Sequence, residues 1–236
     1  MDIDDVLIPF VLRGHAVSGS IALFVAPLAM LAHKGGRWHR FWGKTFFYSM
    51  IGVCGTAIFL AVTRPGNVWL ALVAVFSFHM IASGYRALYY KKLHQGQKPV
   101  MLDKWLHGTA GVVNGGLLIW GLSHFIMGVR DTRAFLYTVF GLIGMGMVIM
   151  QFSRFYQRKH DRRSWWYGHM AGFLGGYIAT LSAFSAVNMA WIHPTWLRWL
   201  WPTLIGTPLI FLWTRFFKKQ FASGKRAREM AEIRIR

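Results

Sequence analysis

Acidic residues are scarce, with eight Asp and Glu against 27 Lys and Arg in 236 residues and a net charge of +19. The eight are Asp2, Asp4, Asp5, Asp103, Asp131, Asp161, Glu229 and Glu232, and none falls inside the chain's long uncharged runs. No lysine does either. Proton-coupled transporters usually carry a membrane-buried carboxylate and retinal proteins need a lysine in their seventh helix, so the sequence argues against both. Cysteine is scarcer still: Cys54 has no partner, which excludes a disulfide framework. The HExxH motif of zinc hydrolases and the HxxxH and HxxHH clusters of membrane desaturases do not occur.

Apolar length is abundant. Uncharged runs cover 14–33, 45–63, 65–85, 105–129, 134–153, 164–197 and 199–214, the first six each 19 residues or longer. About 20 mostly apolar residues span the roughly 30 Å hydrocarbon core as a helix. A soluble domain is therefore excluded, and the expected fold is all-α and polytopic, with seven transmembrane helices near 7–32, 42–63, 67–89, 105–127, 134–153, 166–189 and 199–217. Twelve Trp and nineteen Phe suit membrane interfaces and lipid-facing surfaces.

Charge placement sets the expected orientation. Lys and Arg collect at 34–44, 86–104, 154–163 and 215–236, whereas the alternate connections hold only Arg13, Arg64, Arg130, Arg133 and Arg198. The positive-inside rule then puts the N-terminus outside and the C-terminus in the cytoplasm of a bacterial inner membrane. Anionic lipid headgroups, rather than nucleic acid, are the expected partner of so basic a surface. The acidic start, Asp2, Asp4 and Asp5, is unlike a signal-peptide n-region, so the first span is expected to stay in the membrane. Residues 1–217 form the expected membrane domain. The polybasic stretch 218–236, with Phe221, Met230 and Ile233 interspersed, reads as an interfacial tail or as a purely topogenic one.

Histidine is the ionisable group left within the spans. Of the ten, His94, His160 and His193 fall in loops. By depth, His15 and His124 belong to the outer half, His33, His39, His107 and His169 lie near the inner face, and His79 lies near the middle. Glycine follows four residues later at His15, His39, His107 and His124, on the same helical face one turn on, where a missing side chain opens a slot beside the imidazole. A flat macrocycle fits such a slot; ordinary helix packing through small residues is the alternative.

Haem b needs only two axial imidazoles from facing helices, and histidines spaced one per helix suit it better than zinc. The expected outer site pairs His15 with His79, and the expected inner site pairs His39 with His107. Two substitutions stay open: His124 for His79 at the outer site, and His169 for His39 at the inner one. Asp103, one turn before His107, is placed to accept its second ring proton, and Arg13, Arg37, Arg40 and Lys104 are placed to meet haem propionates.

The segment His15-Ala-Val-Ser-Gly-Ser-Ile-Ala-Leu, with His39-Arg-Phe-Trp-Gly-Lys and Trp105-Leu-His107, resembles a bacterial family of multi-span membrane proteins of unknown function. The stretches His169-Met-Ala-Gly-Phe-Leu-Gly-Gly-Tyr-Ile-Ala-Thr-Leu-Ser-Ala-Phe and Pro202-Thr-Leu-Ile-Gly-Thr-Pro-Leu-Ile resemble other parts of that family, so the likeness covers most of the chain. The pattern of the first half is similar to two-haem b-type cytochromes of the ascorbate-reducible class, in which four consecutive helices each give one ligand. That similarity implies up to two haem b groups passing electrons across the membrane or to a quinone. The competing expectation is a non-catalytic integral subunit or scaffold of a larger membrane complex; a histidine-based metal hydrolase or transporter ranks third.

Overall fold

The computed structural model describes residues 3–64, 68–157 and 161–223. Seven long helices account for nearly all of them: α1 (Ile3–Leu31), α2 (Arg37–Thr63), α3 (Val68–Ala87), α4 (Met101–Ile126), α5 (Thr132–Ser153), α6 (Ser164–Asn188) and α7 (Thr195–Ala222). No strand occurs among the described residues. Six helices, α1 to α6, are long and apolar enough to cross a membrane. The seventh has the length, 28 residues, but carries Arg198, Arg215, Lys218 and Lys219 and two internal prolines, Pro202 and Pro208. At 1.5 Å per residue it reaches about 42 Å, more than the hydrocarbon thickness. The chain is thus an all-α protein with six to seven helices compatible with membrane spans. His160 and the expected interfacial residues beyond 223 lie outside the described residues.

Helix boundaries depart from the sequence expectation where polar residues join a helix. Although Arg37, His39 and Arg40 are polar, α2 begins at Arg37, so His39 sits in the first turn rather than ahead of it. Similarly α4 begins at Met101, because the Asp103 carboxylate accepts the Val100 N–H at 3.1 Å and so supplies an orphan donor of the first turn with its partner. α7 runs to Ala222, five residues past the expected boundary at 217. Phe217 and Phe221 hold this extension by burying their rings against Trp166, 4.7 and 5.4 Å between centroids.

The helices form a bundle with α3 and α6 at its centre: α3 packs on α2, α4 and α6, while α6 packs on α1, α3 and α7. Lipid offers no hydrophobic drive to hold helices together, so close backbone approach through small residues does that work. Gly84 and Gly172 set the α3–α6 crossing, where a Cβ on Gly84 would lie 2.9 Å from the Gly172 Cα. Gly121, Gly141 and Gly144 play the same part between α4 and α5, against Thr138, Leu118 and Asn114. Apolar side chains such as Phe10, Phe24, Val62, Val112 and Ile126 point outward around the bundle, as expected of a lipid-facing surface.

Candidate cofactor cavity and the buried histidine pairs

The site lies at the end of the bundle where α1 and α3 stop and α2 and α6 begin beside the last turns of α7, and the unsatisfied backbone groups of α1 and α3 organise it. The last carbonyls of a helix have no intrahelical donor. Where α1 stops at Leu31, the Ala29 carbonyl accepts a hydrogen bond from His39 Nδ1 at 2.8 Å, and the Met30 carbonyl accepts one from Lys34 Nζ. Where α3 stops at Ala87, the Gly84 carbonyl accepts one from His169 Nδ1 at 3.2 Å. A carbonyl can only accept, so in each neutral imidazole the proton sits on Nδ1 and the Nε2 lone pair is left available. His39 opens α2, His169 lies in the second turn of α6, and their ring centroids are 6.3 Å apart with the planes nearly perpendicular at 83°.

Both rings line a cavity of about 500 Å³ enclosed by α1, α2, α3, α6 and α7. Its walls combine small and aromatic residues, Ala26 and Ala29 on α1, Gly43 and Phe46 on α2, Trp165, Trp166 and Phe173 on α6 and Trp213 on α7, with aliphatic ones such as Met30, Leu88, Met170 and Leu174. Three cations, Lys34, Arg40 and Lys44, also line it, and no acidic residue is among the described lining residues. The size lies within the range of about 300–1,000 Å³ typical of cofactor pockets.

The second histidine pair is of another kind. His79 on α3 and His107 on α4 are both buried, and His79 Nε2 lies 2.9 Å from His107 Nδ1, so one donates a hydrogen bond and the other accepts. Two imidazole nitrogens on opposite sides of one metal, each at about 2 Å from it, would stand about 4 Å apart. At 2.9 Å the two rings satisfy each other directly and leave no place for an iron between them. The His107 ring also packs against Phe152 and Phe155, with centroids 5.7 and 6.1 Å away. Asp103, expected to accept from His107, is occupied elsewhere: it takes two hydrogen bonds from Arg86, at 2.8 and 3.0 Å, and a third from the Tyr90 hydroxyl. Burial raises the pKa of that hydroxyl, which lies beyond the end of α3, and its bond to Asp103 adds to the rise.

The other candidates stand apart. His15 on α1 is half-buried against α2, its Nδ1 2.9 Å from Thr56 Oγ1, whose own proton goes to the Gly52 carbonyl. His124 is half-buried near the end of α4, its Nδ1 donating to the Trp120 carbonyl at 2.9 Å. The structure therefore joins His79 with His107 and His39 with His169. It does not place His15 with His79 or His39 with His107 among its ring contacts. Those pairings would require α1 beside α3 and α2 beside α4, whereas α1 packs on α2 and α6, and α4 on α3 and α5. Of the expected propionate partners only Arg40 lines the cavity; Arg13, Arg37 and Lys104 do not.

Two features of the structure escape the sequence reading. Lys34 and Lys44 look topogenic until the fold turns them to the cavity, and Arg86 reads as an inner-face charge until Asp103 is found beside it. A signal for the second existed: Arg86 ends one span and Asp103 opens the next at the same membrane face, and Asp103 is the only acid there between the two.

The donor set suits a haem b group. Two imidazoles from facing helices carry free Nε2 atoms in a cavity with flat aromatic walls, and imidazole–metal bonds of about 2 Å put ring centres roughly 6 Å apart across a metal, in keeping with the 6.3 Å between His39 and His169. Among the described residues no group of three or more His, Cys, Asp or Glu could hold a metal ion, so a protein-only zinc cage has no counterpart. Compared with family models, curated proteins and solved structures, the chain matches none.

Proposed function

We propose that this is an integral membrane b-type cytochrome-like protein whose α1–α2–α3–α6–α7 cavity would hold one haem b, with His39 and His169 as the residues that would ligate its iron. The single observation that carries the reading is the shared tether: each ring gives its Nδ1 proton to an orphan carbonyl at the end of a neighbouring helix, and so keeps Nε2 for a ligand. A metal-binding histidine nearly always donates its second ring proton in this way, which fixes the tautomer and raises the basicity of the other nitrogen. Bound haem would supply one-electron redox chemistry, its potential set by axial ligands, burial and nearby hydrogen bonds.

The chain's own part is to position and to exclude. Ala29 and Gly84 hold the rings through backbone atoms, which cannot swing away as side chains can. Phe46, Phe173, Trp165 and Trp213 keep water from the cavity and lower the local dielectric. His79 and His107 satisfy one another and belong to the packing of α3 on α4, so one haem, not two, is assigned to the chain. The positive-inside asymmetry puts the cavity end of the bundle, the end bearing Lys34, Arg40 and Lys44, at the cytoplasmic face of a bacterial inner membrane. There His39 and His169 would hold a haem within reach of a soluble carrier or of a quinone in the inner leaflet.

Absorption spectroscopy of the purified full chain tests the reading. The expected result is a Soret band, with visible bands sharpened by dithionite, at about one haem per chain by the pyridine-haemochrome assay. A colourless preparation that also takes up no added haem would favour the non-catalytic subunit or scaffold instead.

A further inference from the structure

The charge of the cavity carries information that the two histidines do not. Its lining holds three side-chain cations from two elements, Lys34 in the α1–α2 connection and Arg40 and Lys44 one turn apart on α2, and no described lining residue is acidic. The acid nearest in kind, Asp103, is buried and committed to Arg86. Lys34 sits 6.0 Å over the Trp213 ring, and its ammonium group caps the end of α1 through Met30. Arg40 Nη1 donates to the Gly35 carbonyl at 3.0 Å, which leaves the rest of its fork of donors for a ligand. Most of the remaining lining is apolar, with the rings of Phe46, Trp165, Trp166, Phe173 and Trp213 among it. A neutral ring system would gain nothing from the three cations, and a small anion would gain nothing from the aromatic walls. A ligand that answers both has a flat apolar body and anionic groups along one edge.

On this basis we infer that the cavity selects ring systems bearing free carboxylates, which Lys34, Arg40 and Lys44 engage along one edge, and that this selection does not depend on iron. The inference rests on the proposed function for the identity of the ring, a porphyrin, but not for the means of holding it. Arginine pairs with carboxylates through parallel N–H···O bonds, whereas lysine acts as a point charge. Esterifying the carboxylates removes the charge and keeps the flat body, so the two contributions separate experimentally.

The probes are metal-free protoporphyrin, its dimethyl ester and haem, added to the purified full chain in neutral detergent. Binding is read from quenching of tryptophan fluorescence, since Trp165, Trp166 and Trp213 line the cavity. The free acid is expected to bind about tenfold or more tightly than the ester, the ratio of one lost charge-assisted hydrogen bond. In the Arg40→Gln/Lys44→Gln double variant, in which both altered residues are exposed and the α1 cap is intact, that preference should shrink toward unity. Equal affinity for acid and ester, or an undiminished preference in the variant, overturns the inference.

The histidine ligation is tested apart from this. If His39→Ala weakens haem binding and leaves metal-free protoporphyrin unchanged, both readings stand. If it weakens neither while the ester discrimination persists, the ligation reading fails and the inference survives. An anionic phospholipid headgroup offers the same charge, so the titration is repeated in nanodiscs of neutral lipid and of phosphatidylglycerol. Retained discrimination in both supports the porphyrin; abolition of porphyrin binding by phosphatidylglycerol alone would assign the cations to lipid and overturn the inference.

Discussion

At the residue scale, the buried polar groups come as closed sets, and their stability follows from what each set loses when one member is removed. Asp103 is almost fully buried and takes its hydrogen bonds from Arg86, Tyr90 and the Val100 N–H. Replacing one partner of a buried ion pair leaves the other charge uncompensated and costs about 3–5 kcal/mol. Since Arg86 keeps some exposure to water, Asp103→Asn is expected near the low end of that range, about 3 kcal/mol. The Arg86→Gln/Asp103→Asn double variant should cost clearly less than the sum of the two single variants, because the partners interact directly. Denaturation in mixed micelles, followed by tryptophan fluorescence, measures both; additive losses would show that the pair is not coupled.

The histidine pairs show the same logic with a different outcome. His79 and His107 satisfy each other, so His79→Ala strands the His107 ring in a nearly dry interior and should cost about 1–3 kcal/mol. His39 and His169 instead satisfy backbone carbonyls and keep one ring nitrogen in reserve, the arrangement expected of ligands.

At the element scale, the α3–α6 crossing controls the cavity, because Gly84 both sets the approach of α6 and offers the carbonyl that holds His169. A Cβ on Gly172 would come within 2.6 Å of the Met80 carbonyl oxygen and 2.8 Å of the Gly84 nitrogen, both backbone atoms that cannot step aside. Gly172→Ala should therefore push the helices apart, at a cost of about 1–3 kcal/mol, and weaken haem binding by stretching the His169 tether. Gly55→Ala is the control, for nothing lies within 4 Å of its Cβ position. It should be neutral to within about 0.5 kcal/mol. Equal effects of the two substitutions on melting temperature and haem content would refute the role given to the crossing.

Much of this was legible in the sequence at the level of elements and little at the level of pairs. Run length and charge position locate all seven helices, because a helix that must cross 30 Å of hydrocarbon leaves an apolar run of fixed minimum length. The same reasoning orders the histidines by depth, but depth gives height along the membrane normal and says nothing about azimuth. His39 and His107 share a depth, yet α2 and α4 are not packed together, while α6 stands beside α3 although two helices, α4 and α5, lie between His79 and His169 in sequence order. The two glycines at 84 and 172 decided that lateral placement, and nothing in either residue's own neighbourhood names the other. Nor can spacing reveal that the ends of α1 and α3 supply carbonyls to His39 and His169.

For the whole molecule, the charge asymmetry makes a prediction about orientation that is independent of any cofactor. Alkaline phosphatase fused after Asn67 or Asp131 should be active, and fused after Gln95 or Asp161 inactive, since the positive-inside rule would keep the basic connections in the cytoplasm. The reverse pattern would turn the cavity to the other face of the membrane and contradict the orientation expected from charge.

The most direct test of the central claim is the haem content of four purified single variants, His39→Ala, His169→Ala, His79→Ala and His107→Ala, each first checked for membrane insertion and monodispersity. His39→Ala and His169→Ala are expected to lose the haem or leave it high-spin, because each removes an axial nitrogen and its backbone tether. His79→Ala and His107→Ala should keep about one low-spin haem per chain despite lower stability. Normally inserted His39→Ala and His169→Ala proteins with wild-type spectra, or loss of haem only in the His79 and His107 variants, would contradict the assignment of the cavity as the haem site.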